Sequence, residues 1–419
     1  MDDTPGNPAE AWLRGAAREA RAAARCLGQA SGAQRNAALH AAAAALGAAA
    51  PDILAANQAD LTRFTGTEAL RDRLTLTPAR LAAMADGLTA IAALPDPLDR
   101  VLAEWTRPNG LRFARVASPI GVIGMIYESR PNVGADAAGI CLKAGSAVVL
   151  RGGSEAAASA AAIHAAIQAG LRQADLPEAC VQMAPGTDRA YVAAMLGAAG
   201  FIDLIVPRGG KSLVTRVQHE ARVPVLAHAE GICHTYVHAK ASPDLARRVL
   251  VNAKMRRPGI CGATETLLID AAIAPTLLPL LVADLSALGC DFRADARARA
   301  LLPDLPAATD FDTEWLDAIL SVAVVDGPDA AIAHIERHGS HHTDAILTED
   351  AATAERFLAA VDSAVVMWNT STQFCDGGEF GFGAELGIAT GRLHARGPVG
   401  VEQLTTYRTL VRGHGQIRA

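Results

Sequence analysis

The stretch that decides the fold runs Ile120-Gly-Val-Ile-Gly-Met-Ile-Tyr127, then Glu128-Ser-Arg-Pro-Asn132, then Val133 to Lys143, then Ala147-Val-Val-Leu150. The first apolar run predicts a strand. The alanine-rich segment from Val133 to Lys143 predicts a helix, and Ala147 to Leu150 predicts the next strand. Both strands are apolar at every position rather than at alternate ones. Such strands are buried on both faces, which implies a parallel sheet covered by helices.

The pattern continues outward from this unit. Helices are expected over Glu155 to Ala169 and Ala190 to Ala199, with strands at Ile202 to Val206 and Val223 to Ala227. A second alternation has strands at Thr266–Ile269, Ser321–Val325, Asp344–Thr348 and Ala364–Trp368. Residues 8–98 read as helical, broken at Ser31-Gly32, Pro51 and Leu94-Pro95-Asp96-Pro97. Two segments lie outside both alternations: Trp105 to Arg115 reads as extended, and Leu404 to Val411 alternates like a strand. The fold class is therefore α/β, with two parallel-sheet domains.

Composition agrees with an enzyme of this class. Hydrophobic residues make up 51% of the 419 positions but aromatics only 4%, as expected of alanine-rich helices around β-branched strands. A net charge of −6 and a pI near 6.1 leave no basic footprint, so nucleic acid is not an expected partner. The seven cysteines are an odd number, widely spaced and without a CxxC pair, which argues against a disulfide framework and a zinc site. The first six residues carry no basic and apolar leader. Ala271 to Cys290 is apolar enough to suggest a membrane span, but Pro275, Pro279 and Asp284 favour a core helix. A cytoplasmic enzyme with no membrane or metal is expected. The stretch His338-Gly-Ser-His-His342-Thr-Asp344 could suggest a metal, but with no matching carboxylate or cysteine spacing a turn entering a strand is the stronger reading.

The candidate nucleophile is Cys261, in Arg257-Pro-Gly-Ile-Cys-Gly262. Glycines on either side allow close backbone approach. Lys254, Arg256 and Arg257 would favour the thiolate, the reactive form. The alternative is a small buried hydrophobe. Three turns follow strands and open helices: Glu128 to Asn132, Arg151-Gly-Gly-Ser154, and Arg208-Gly209-Gly210-Lys211-Ser212. Free N–H groups and the dipole at a helix start attract anions.

Taken with Pro119-Ile-Gly-Val-Ile-Gly124, these segments resemble the aldehyde dehydrogenase superfamily. Within it, the chain resembles the γ-glutamyl phosphate reductase family. That likeness is carried by Tyr127 to Val133, Leu142 to Glu155, Ile205 to Leu213, His228 to His234, Asn252 to Lys254, Arg257 to Cys261, Gly339 to Ile346 and Phe380 to Gly391. The resemblance implies NADPH-dependent reduction of L-glutamate 5-phosphate to L-glutamate 5-semialdehyde through a thioester on Cys261. The rival within the superfamily is an oxidising or CoA-acylating enzyme; a rival of another class is a non-catalytic binding protein on the same fold. The resemblance implies that Arg130, Asn132, Lys254 and Arg257 face the substrate. For Arg130 an ion pair capping the sheet is the alternative. Cofactor contacts fall on Arg151, Ser154, Arg208, Gly209, Gly210, Lys211, Ser212 and Glu314. Serine rather than a carboxylate at 154, beside Arg151, suits a ribose 2′-phosphate. Oxidising members keep a water-activating glutamate before Gly-Gly. Here Glu230-Gly231 sits one position away, as a reductase that uses no water allows.

The implied partition has an NADPH-binding domain over 1–104 and 119–232, a catalytic domain over 233–395, and an oligomerisation flap from 105–118 and 396–419. A homodimer or tetramer is expected, with glutamate kinase as a possible partner.

Overall fold

The computed structural model describes residues 7–98, 100–128 and 130–418. Ser129 and the six N-terminal residues, read above for a leader, lie outside them. The chain forms two compact units. One comprises 1–227, 381–387 and 399–419; the other comprises 228–380 and 388–398.

The first unit opens with five helices, Pro8–Gln29, Gly32–Ala48, Ala50–Arg63, Glu68–Leu74 and Pro78–Ala93. Asn7, Ser31, Thr67 and Thr77 each cap a helix start through the side chain. Small side chains let the helices approach closely. A Cβ built on Gly170, in the helix Ala157–Gln173, would lie 2.4 Å from the Ala42 backbone nitrogen.

Strands β1 (Val101–Thr106) and β2 (Arg112–Pro119) follow as an antiparallel hairpin. The segment expected to run extended through Trp105–Arg115 instead folds back. Gly110 has φ 82° and donates its N–H to the Arg107 carbonyl. Pro108-Asn109-Gly110 is a turn signal that the extended reading passed over.

Four strands make the unit's parallel sheet: β3 (Val122–Tyr127), β4 (Ala147–Arg151), β5 (Val181–Met183) and β6 (Leu204–Arg208), in the order β5-β4-β3-β6. Every residue of β3 and β4 is buried. The strand expected at Val223–Ala227 is a single parallel bridge between Val225 and Ile205. Pro224 has no N–H to give a ladder, and its carbonyl only accepts from Ile205.

The second unit holds six parallel strands: β7 (Cys233–Val237), β8 (Thr264–Asp270), β9 (Asp291–Ala294), β10 (Ile319–Val325), β11 (Thr343–Leu347) and β12 (Val365–Trp368). Their order is β12-β11-β7-β8-β10-β9. Successive side chains point to opposite faces. Leu267, Ile269, Val322 and Val324 enter one core, while Leu268, Ala323 and Val325 enter the other. The apolar stretch 271–290 contributes the helix Ala274–Ser286, with Leu277, Leu278, Leu281 and Leu285 buried in the first of these cores. Among the described residues no single helix is long and apolar enough to cross a membrane; one bent pair passes by length and composition alone.

The chain then makes a short ribbon, β13 (Ile388–Ala389) with β14 (Gly397–Pro398), and ends on β15 (Thr405–Arg412). The last strand pairs antiparallel with β2 along its whole length, giving a three-stranded sheet β1-β2-β15.

Candidate active site

Cys261 sits on the loop between the helix Pro243–Met255 and β8, and it is half-buried. The Glu230-Gly231 segment packs directly against its backbone. A Cβ on Gly231 would lie 2.2 Å from the Cys261 carbonyl oxygen, so only glycine fits there. The Gly231 N–H donates to Glu314 Oε1 at 2.8 Å. This brings the predicted Glu314 to the segment that flanks Cys261.

A second cysteine lies beneath. The Cys233 thiol donates to the Cys261 carbonyl at 3.1 Å and is fully buried. Burial, then the charge of Asp344, push its pKa well above the ordinary thiol value, so Cys233 stays protonated. Cys261 is therefore the accessible member of the pair.

His342 is 0% exposed, and its Nδ1 lies 3.0 Å from Thr343 Oγ1 and 3.5 Å from Cys233 Sγ. Burial holds its pKa well below the usual histidine value, with His228 adding to the effect. His228 stacks edge-on against it at 5.0 Å. The sequence offers His228 only within a family-like segment and His342 only within a stretch whose metal reading yields to a turn. The turn exists, with His341 at φ 59°, yet the next residue brings its ring beside Cys261.

Lys254 is fully buried, with Nζ 2.9 Å from Glu265 Oε2. Glu265 also accepts from the backbone N–H groups of Trp315 and Leu316. Burial pushes its pKa up to about 7 against the pull of Lys254. The pair fixes the helix before Cys261 to the strand after it. Arg257 is exposed, and Arg256 reaches Gln373 at 3.4 Å.

The other predicted residues lie in the first unit. Arg130 is half-buried in the turn that opens the helix Val133–Lys143, and the Asn132 side chain donates to Asp136 at 2.8 Å. Arg151, at the end of β4, is nearly buried and donates to the Thr187 carbonyl at 2.6 Å. Ser154 is exposed, at the start of a single 3-10 turn. Arg208, at the end of β6, is tied to the Leu386 carbonyl at 3.2 Å. Gly209, Gly210, Lys211 and Ser212 are exposed and open the helix Lys211–Glu220. The Gly210 N–H, at the N-cap of this helix, donates to the Glu128 carboxylate at 3.1 Å.

The fold defines a class. The aldehyde dehydrogenase family model matches residues 7–298, and the chain belongs to that family. Two γ-glutamyl phosphate reductases are similar nearly end to end. That of Acidiphilium cryptum is 68% identical over 418 residues, covering 99% of this chain and 100% of the relative. That of Gluconobacter oxydans is 67% identical over 410 residues, covering 97% and 96%. The crystal structure of γ-glutamyl phosphate reductase from Thermotoga maritima superposes with a TM-score of 0.95 at 40% identity, covering 97% of this chain and 100% of that one.

Proposed function

We propose that this chain reduces L-glutamate 5-phosphate to L-glutamate 5-semialdehyde, with release of phosphate, as a step of proline biosynthesis. The observation that carries this reading is the end-to-end match to the reductase of Acidiphilium cryptum. Family membership implies a nicotinamide cofactor, which when bound supplies the hydride. The glycine-flanked helix start at 209–212 suits its pyrophosphate, since N–H groups and the dipole at a helix start favour anions. Arg151 and the exposed Ser154, with no carboxylate at 154, favour NADPH.

Cys261 is the nucleophile in this proposal. Its thiolate attacks the acyl carbon and the C–O bond to phosphate breaks, leaving a thioester. Hydride addition gives a hemithioacetal oxyanion. The carbonyl then reforms, the C–S bond breaks, and thiolate and aldehyde separate. The Cys261 N–H is placed in sequence to stabilise the oxyanion. Arg130 and Arg257 serve the anionic substrate, with Asn132 beside Arg130. Lys254 acts through the loop rather than on the substrate, because Glu265 holds it. Glu314 contributes to the nicotinamide ribose from its place beside Gly231.

The proposed functional partition is cofactor binding over 1–104 and 119–232, catalysis over 233–395, and oligomerisation through 105–118 and 396–419; the two compact units divide at other positions, after Ala227 and around 381–398. None of the seven cysteines forms a disulfide, which suits a reducing compartment such as the cytoplasm.

The reverse reaction tests the activity. Oxidation of glutamate semialdehyde with NADP should require inorganic phosphate. Turnover without phosphate would indicate a hydrolytic dehydrogenase, and turnover that needs CoA would indicate an acylating one.

A further inference from the structure

Three side chains of the second unit converge. His228, Cys261 and His342 each offer one ligand atom, and these atoms lie within 4.8 Å of one another. They come from three separate places in the chain: before β7, before β8 and before β11. The His228 Nδ1 must be the protonated nitrogen, because it meets the Ile388 carbonyl oxygen at 2.7 Å. That leaves Nε2 with the lone pair, the state of a ring anchored for metal binding. In His342, Nδ1 lies 3.0 Å from Thr343 Oγ1; the tautomer with its proton on Nδ1 makes Nε2 the basic nitrogen, and this fully buried atom has no hydrogen-bond partner. A buried polar atom without a partner calls for an explanation.

We propose that Cys261, His228 and His342 form a zinc site, and that Zn²⁺ seated there reversibly blocks the thiol. One thiolate and two neutral imidazoles are a borderline-soft set that suits zinc, with a fourth position left for water. Zinc–ligand bonds of that kind place neighbouring ligand atoms roughly 3.5 Å apart. Binding would draw the three ligand atoms, now within 4.8 Å of one another, together to that spacing. Binding releases the Cys261 thiol proton to solvent, so charge and protons balance. The site would make activity depend on free zinc and would shield the thiol from alkylation. It does not depend on which acyl donor the enzyme uses.

Cobalt(II) is the probe, added to reduced, chelator-treated full-length protein. One equivalent should give a thiolate-to-cobalt charge-transfer band in the near ultraviolet and visible bands of tetrahedral strength. Zinc should bleach both. Cys261→Ser should remove the near-ultraviolet band. His228→Gln and His342→Gln should each weaken cobalt binding by about 10-fold or more. Thermal melts verify that the variants fold; if His342→Gln does not fold, His228→Gln decides. A weak octahedral spectrum without charge transfer would overturn the site. So would a band that survives Cys261→Ser, which would assign it to another thiol such as the exposed Cys26. Histidine variants that bind cobalt like the parent would do the same. The spectrum requires no turnover, so its failure is separate from failure of the reductase reading.

Discussion

At the scale of the residue, Cys261 and Ser154 carry the sharpest expectations. Cys261 shares its surroundings with a buried, protonated cysteine that cannot substitute for it. Cys261→Ala should therefore lower turnover by at least about 10³-fold while leaving the melting curve and NADPH binding unchanged, because covalent catalysis is lost and packing is not. Steady-state rates and cofactor fluorescence titration measure the two separately; near-normal turnover would place the nucleophile elsewhere. Ser154 is exposed at the turn after Arg151. A glutamate there should repel a 2′-phosphate and accept bonds from ribose hydroxyls. Ser154→Glu should thus move the ratio of kcat/KM for NADPH over NADH toward NADH by about 10-fold or more, equivalent to ~1.4 kcal/mol. An unchanged ratio would mean that the ribose lies against other residues.

At the scale of the element, the buried Lys254–Glu265 pair couples the helix Pro243–Met255 to β8 on either side of the nucleophile's loop. Glu265→Gln keeps one oxygen, enough for only one of the Trp315 and Leu316 N–H groups, and leaves the Lys254 ammonium buried without a counter-charge. That should cost about 3–5 kcal/mol. Adding Lys254→Met should recover most of the loss, since a neutral pair of similar volume carries no buried charge. Denaturant titration of the two single variants and the double variant decides this. Equal and additive losses would show that the two residues do not act as a pair.

At the scale of the whole molecule, the antiparallel sheet β1-β2-β15 has two open edges. Every residue of β1 is exposed, including Val101 at 50% and Trp105 at 38%; on β15, Tyr407 is 56% exposed and Val411 52%. Side chains hold the sheet together: Trp105 stacks on Phe113 at 5.2 Å and Arg115 sits over Tyr407 at 4.6 Å. Yet a small ribbon with long free edges is a template for another chain. A second copy pairing there would cover those apolar side chains. Full-length protein should run as a dimer or tetramer in light scattering at micromolar concentration. Truncation after His394 removes β14 and β15 and should give monomer or insoluble protein. A full-length monomer would overturn the assignment of this sheet to assembly.

The sequence by itself determined what local pattern can carry. Unbroken apolar runs such as 120–127 declared a parallel sheet, and the Cys261 loop, with glycines on both sides, declared a thiol held by close backbone contact. Composition could not reveal what depends on distant segments meeting. Lys254 reads as a cation for the thiol until folding sets Glu265 against it, eleven residues on, in a fully buried site. His342 reads as part of a turn until β11 carries it beside Cys233, 109 positions away. Val223 to Ala227 reads as a strand by its apolar content, but Pro224 withholds an N–H and the ladder stops at one bridge. In each case burial and pairing are properties of the packed core, and a side chain's charge, partner and role there are fixed by neighbours that the linear pattern does not place.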